Sequence, residues 1–165
     1  MKQCLGIAAT GLLITACGGE PPPEAGTKDT PFGTYKGMSK EALEEYAHLT
    51  TNARRDDDVK TYRSNQAPYN GYQANSYSYE IGQDGLCSVD ATFDYPSSGQ
   101  HPIISDIMQK YGKPDTQSVS ESGNLIRYTA EDYKLQNRLR YIRIDATPYF
   151  LMVVYSYVDS ADECK

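Results

Sequence analysis

Residues 75–93 constrain the fold more than any other stretch of the chain. Tyr77, Tyr79 and Ile81 alternate with Ser76, Ser78 and Glu80, and Cys87, Val89, Ala91 and Phe93 alternate with Ser88, Asp90 and Thr92. Gly82-Gln83-Asp84-Gly85 lies between the two runs. Successive strand side chains point to opposite faces, so a period of two on both sides of a turn signal predicts an antiparallel hairpin with one apolar and one wet face. The apolar face of such a hairpin needs a second layer to cover it.

Two helical patterns supply that layer. Ser39 is a suitable N-cap, Glu41, Glu44 and Glu45 sit near the positive end of the helix dipole, and Met38, Ala42, Tyr46 and Leu49 recur at spacings of three and four. This predicts a helix over 40–49. Pro102 fits a first helical position, Ile104, Ile107, Met108 and Tyr111 form an apolar stripe, and Gly112 and Pro114 stop it. The polar stretch 50–58 reads as a loop. Its run Asp56-Asp57-Asp58 lacks the turn-forming glycine of a calcium loop and reads as solvated.

Further strands are expected at 59–63, 124–128, 138–146 and 149–158. The last is apolar on both faces and so belongs in the middle of a sheet. Residues 130–136 read as a short helix or a loop. Each helix is thus followed by about three strands. The expectation is an α+β fold, an antiparallel sheet with two helices on one face, built as two αβββ units at about 31–100 and 101–165. At 165 residues, the chain has the length of one domain.

The first thirty residues predict a compartment. Lys2 precedes a charge-free apolar run from Leu5 to Ala16. Twelve residues at about 1.5 Å each fall short of the ~30 Å of hydrocarbon, so residues 1–16 read as a secretory signal peptide. Leu13-Ile14-Thr15-Ala16-Cys17 resembles the lipobox of bacterial lipoproteins. The resemblance implies cleavage before Cys17, a diacylglycerol thioether on its sulfur and a further acyl chain on its amine. It also implies attachment to a membrane, since two or more acyl chains anchor stably where one does not. Gly18, in place of Asp, favours by the same resemblance the outer membrane of a diderm bacterium, with the head on the periplasmic side. In a monoderm the head would sit on the outer face of the single membrane. Residues 17–30, with three consecutive prolines, form a semi-stiff tether to a globular domain at 31–165.

Cys4 leaves with the signal peptide and Cys17 carries lipid. Cys87 and Cys164 remain, an even number in an oxidising compartment, and are expected to form a disulfide, two free thiols being the alternative.

Two shorter elements carry further resemblances. Gly37-Met38-Ser39-Lys40-Glu41 resembles the helix-starting element of BamE/SmpA-type envelope lipoproteins, and Tyr111-Gly112-Lys113-Pro114 resembles the helix-ending element of the same family. The family has the two close together, whereas here they lie on different helices. Tandem αβββ units also resemble the β-lactamase-inhibitor-protein fold, which binds its target across a sheet.

Chemistry is sparsely signalled. A net charge of −6 offers no basic footprint for nucleic acid. His48 and His101 are the chain's two histidines, and no HExxH, GxSxG, Walker or GxGxxG pattern occurs, so no metal, cofactor or catalytic residue is expected. Carboxylates are plentiful, but nothing in the sequence singles out a pair.

Tyrosine is the unusual feature, with fifteen in the chain. Tyr62, Tyr69, Tyr72, Tyr77 and Tyr79 fall within eighteen residues, and Tyr155 and Tyr157 lie on the last strand. Tyrosine gives large contact area at low entropic cost and is enriched in binding surfaces. It also packs well on strands, so the same residues could fill a half-buried sheet. Tyr69, Tyr72, Tyr77 and Tyr79 are the candidates for partner contact. The expectation is a lipid-anchored, non-enzymatic protein-binding module, in envelope assembly or in inhibition or immunity. The alternatives are a cell-wall or polysaccharide-active enzyme and a structural surface lipoprotein without a tight partner.

Overall fold

The computed structural model describes residues 25–52, 59–94, 101–130 and 135–164. The signal peptide, Cys17, most of the tether and the run Asp56–Asp58 lie outside the described residues.

The elements are α1 (Lys40–Glu44), β1 (Thr50–Asn52), β2 (Lys60–Ser64), β3 (Ser76–Gly82), β4 (Gly85–Asp94), α2 (Pro102–Tyr111), β5 (Thr116–Ser120), β6 (Gly123–Thr129), β7 (Tyr141–Ala146) and β8 (Phe150–Ser156). The strands form one antiparallel sheet of order β1-β2-β3-β4-β8-β7-β6-β5. Mixed helix and strand around one antiparallel sheet is an α+β architecture. Two meanders meet in the middle, where β4 pairs with β8 from Ser88 opposite Ser156 to Asp94 opposite Phe150.

Each helix is followed by four strands rather than three. The additional strands are the two sheet edges, β1 and β5. Both are short and polar (TTN and TQSVS), and β5 is exposed on both faces. An edge strand with no buried side has no alternation to display, so pairing with a neighbour defines it. α1 is also shorter than its sequence pattern. Ser39 Oγ accepts from Ala42 N–H as an N-cap should, yet the helix ends at Glu44, and Tyr46 is 43% exposed instead of facing the core. The β-branched Thr50 and Thr51 then enter β1. α2 runs Pro102–Tyr111, with Pro102 in its first turn and Gly112 at φ 79° as its C-cap.

Cross-strand register builds the core in rows. Tyr77, Ala91, Val153, Ile144 and Ile126 stand side by side across five strands. The next row is Tyr62, Tyr79, Val89, Tyr155, Ile142 and Tyr128. All are buried on one face of the sheet, and Leu43 of α1 and Ile103, Ile104 and Ile107 of α2 join the same cluster. Val154 is buried on the other face, so β8 is apolar on both sides at its central position.

Residues 30–34 cross this core as a strap. Phe32 is buried with its ring centroid 5.3 Å from those of Tyr77 and Tyr155 and 6.3 Å from that of Phe93. It is held at φ 50°, a left-handed conformation that non-glycine residues rarely adopt. Phe32 C=O accepts from Tyr69 N–H at 2.9 Å, which ties the strap to the loop between β2 and β3. Gly33 follows at φ 76°, and a Cβ there would lie 2.6 Å from Tyr69 N. Both the conformation and the clearance require glycine.

Cys87 on β4 and Cys164 near the chain end form a disulfide with their Cα atoms 5.6 Å apart. Tyr157 N–H donates to Cys87 C=O beside it. Gly82 lets the last residues pack closely, since a Cβ at that position would lie 2.6 Å from Cys164 O.

Gly33→Ala is expected to destabilise the fold by about 1–3 kcal/mol, read as a lowered midpoint in urea unfolding with unchanged slope. The double substitution Cys87→Ser/Cys164→Ser removes a closure between residues 77 positions apart. It should cost up to about 4.5 kcal/mol in the chain-entropy description, measured by the same unfolding experiment.

Candidate functional site

The strap, the β2–β3 loop and α2 leave a cavity of about 630 Å³ between them. Its walls include Phe32 from the strap, Tyr69 and Tyr72 from the loop, Asp106, Ile107 and Tyr111 from α2, and Tyr155 from β8. The loop carries tyrosines here because it is fixed at both ends. Tyr69 N–H bonds to the strap, and Asn75 N–H donates to Thr92 C=O. Tyr69 and Tyr72 meet edge to face with ring centroids 6.0 Å apart. The Tyr72 hydroxyl donates to Asp106 Oδ2 at 2.6 Å, closing the loop onto α2. Burial and that hydrogen bond to a carboxylate raise the Tyr72 phenol well above its usual range.

The four tyrosine candidates separate in the structure. Tyr69 and Tyr72 are half-buried at the cavity wall, where a partner can reach them. Tyr77 and Tyr79 are 1% and 0% exposed, their rings stacked in the core 6.4 Å apart. Their hydroxyls donate inward, Tyr77 to Asn70 Oδ1 at 2.5 Å and Tyr79 to Gln66 C=O at 2.8 Å. This corrects the expectation that both offer contact to a partner. Their face of the sheet is the one the helices cover. They act on the loop instead, holding its start and middle from below.

Three contributors to the cavity were not singled out by sequence. Phe32 follows a proline in a segment with no periodicity. Asp106 is one of several polar residues on α2. Tyr111 read only as the end of an apolar stripe. No local signal distinguishes them, because the strap, α2 and the loop are far apart in sequence.

The face of the sheet opposite the helices is largely polar. One row runs Arg63, Ser78, Asp90, Val154, Arg143 and Arg127 across six strands. Arg127 and Arg143 also line a second cavity of about 520 Å³ with Arg140, whose guanidinium pairs with the Asp159 carboxylate. Burial among these strands, with the nearby Glu80 carboxylate, pushes Asp90 up to about 6. A hydrogen bond from Ser78 and the charges of Arg63 and Arg143 pull the other way and are outweighed. Burial also raises Glu80. The Glu80 charge thus adds to the effect of burial on Asp90, and neither residue lines either cavity.

Among the described residues, no group of three or more His, Cys, Asp or Glu is placed to hold a metal ion. No helix among them is long and apolar enough to cross a membrane. No family model, curated protein sequence or solved structure matches the chain.

The Asp90 shift carries a sign. A carboxyl whose folded-state pKa lies above its unfolded value binds its proton more tightly in the native protein, so native stability is lost as pH rises from about 4 through 6. Asp90→Asn should therefore melt at a higher temperature than the parent at pH 7.5. The gap should close by pH 4, as followed by circular dichroism. A gap that does not change with pH would mean that the charge is not its cause.

Proposed function

We propose that this chain is a lipid-anchored envelope lipoprotein whose head is a non-enzymatic protein-binding module. In this reading acyl chains on Cys17 hold it at the outer membrane, on the periplasmic side, and the tether spaces the head from the bilayer. The observation that carries the binding reading is the aromatic cavity. Interfaces are anchored by a few aromatic residues seated around a pocket, and rigid tyrosines on a fixed loop lose little entropy on binding. Tyr69 and Tyr72 have that setting, pinned by the strap and by Asp106.

The two helix-plus-strands halves meet at the β4–β8 pairing, and we take them as two units of one plan, which supports the resemblance to inhibitor-type tandem folds. The disulfide fits residence in an oxidising compartment.

The test uses the full chain expressed in a diderm bacterium. Labelled palmitate should enter the parent protein and not Cys17→Ser, and the label should fractionate with outer membrane. A photo-crosslinking amino acid at position 69 should capture one protein saturably, while the same group at exposed Thr116 on the β5 edge should not. Tyr69→Ala should weaken the purified complex by about tenfold, the loss expected for a central aromatic contact. Absence of any saturable product at position 69 would remove the binding reading and leave a cell-wall or polysaccharide-active enzyme or a structural surface lipoprotein.

A further inference from the structure

Among the described residues, the hydroxyl of the buried Tyr155 is left without a hydrogen-bond partner at the cavity. Tyr155 is 7% exposed and lines the cavity. The hydroxyl is not sealed off, since among the described residues the buried polar side-chain atom left without a partner is Arg143 Nε, so it faces the cavity, where a bound ligand would take the place of water at it. Its neighbours restrict what that ligand can be. Tyr72 has already given its one proton to Asp106, so it offers only lone pairs. An ionised Asp106 also only accepts. This end of the cavity therefore asks for a ligand rich in N–H or O–H donors.

The walls add a second restriction. The rings of Phe32, Tyr69 and Tyr111 bound the space, and ring faces carry the negative part of the aromatic quadrupole. Attraction of a cation to these rings already occurs within the chain, since Lys110 Nζ lies 5.5 Å from the Tyr111 ring centroid. That lysine is tied by donating to Asp29 C=O, and Lys28, the cavity's other lysine, is exposed. The net charge of −6 steers cationic segments toward the molecule.

A planar cation with several donors meets both restrictions. Guanidinium is flat, always charged, weakly hydrated, and stacks on aromatic faces while donating in its own plane. An ammonium offers no plane to stack and gives up its hydration less readily. We propose that the Tyr72–Asp106–Tyr155 end of the cavity binds the guanidinium of an arginine side chain presented by a protein partner. The proposal rests on the binding-module reading for the source of the arginine, but its test needs no partner.

The full chain, held in detergent micelles, is titrated with acetyl-Gly-Arg-Gly-amide and with the lysine and citrulline counterparts, with a neutral disaccharide as a fourth probe. Binding is followed by the NMR shift of the Ile107 methyl groups. The arginine peptide should bind saturably, at least tenfold more tightly than the citrulline peptide and at least threefold more tightly than the lysine peptide. Tyr155→Phe keeps the ring and removes only that hydroxyl. It should weaken the arginine peptide about fivefold without lowering the melting temperature, and Asp106→Asn should weaken it about tenfold. Equal binding of arginine and citrulline peptides, tighter binding of the disaccharide, or arginine binding untouched by both variants would overturn the proposal. Arginine binding without a crosslinked partner at position 69 would overturn the binding-module reading alone. The reverse result would overturn the arginine assignment alone.

Discussion

The antiparallel pairing of β4 with β8 is the constraint on which the rest of the structure depends. Every other strand pairing lies within one half of the chain, so this seam alone makes one sheet of two meanders. It also sets the register of both core rows. Val89 opposite Tyr155 and Ala91 opposite Val153 bring the tyrosines of the first half into line with the isoleucines of the second. A shift of one residue along β8 would turn Tyr155 and Val153 to the polar face and bring Val154 inward. The cavity depends on the same register, because Tyr155 reaches it only from this position on β8.

Where a side chain's partners were local, the sequence was legible. The β3–β4 hairpin and α2 follow from alternation and capping, and β8 was recognisable as central because both its faces are apolar. Illegible elements were those stabilised from a distance. β1 and β5 have no apolar face, so only a neighbouring strand identifies them. The tail of α1 carries helical spacing at Tyr46 and Leu49, but the chain turns into β1 instead. At the site, position in a loop separated Tyr69 and Tyr72 from their neighbours. Alternation on β3 placed Tyr77 and Tyr79 together on one face but could not say whether that face was covered. Asp106 and the strap become part of the site only when three remote segments converge.

The tyrosines divide labour in a way that links core to cavity. Tyr77 and Tyr79 fill the apolar layer with their rings and spend their hydroxyls on Asn70 and Gln66 of the loop above. Tyr69 and Tyr72 stand on that loop. Buried phenols thus set the position of half-buried ones, and Phe32 in its unusual backbone conformation closes the remaining side. Rigidity of this kind lowers the entropic cost of binding.

The disulfide gives the two halves different covalent fates. Cys87 and Cys164 enclose α2 and all of β5–β8, so this stretch is a closed covalent ring with the disulfide as its clasp. A single backbone cut inside the ring opens it without dividing the molecule. The β2–β3 loop lies outside the ring. A cut there severs the strap and the first two strands from everything else, leaving only packing and hydrogen bonds to hold the aromatic cavity together.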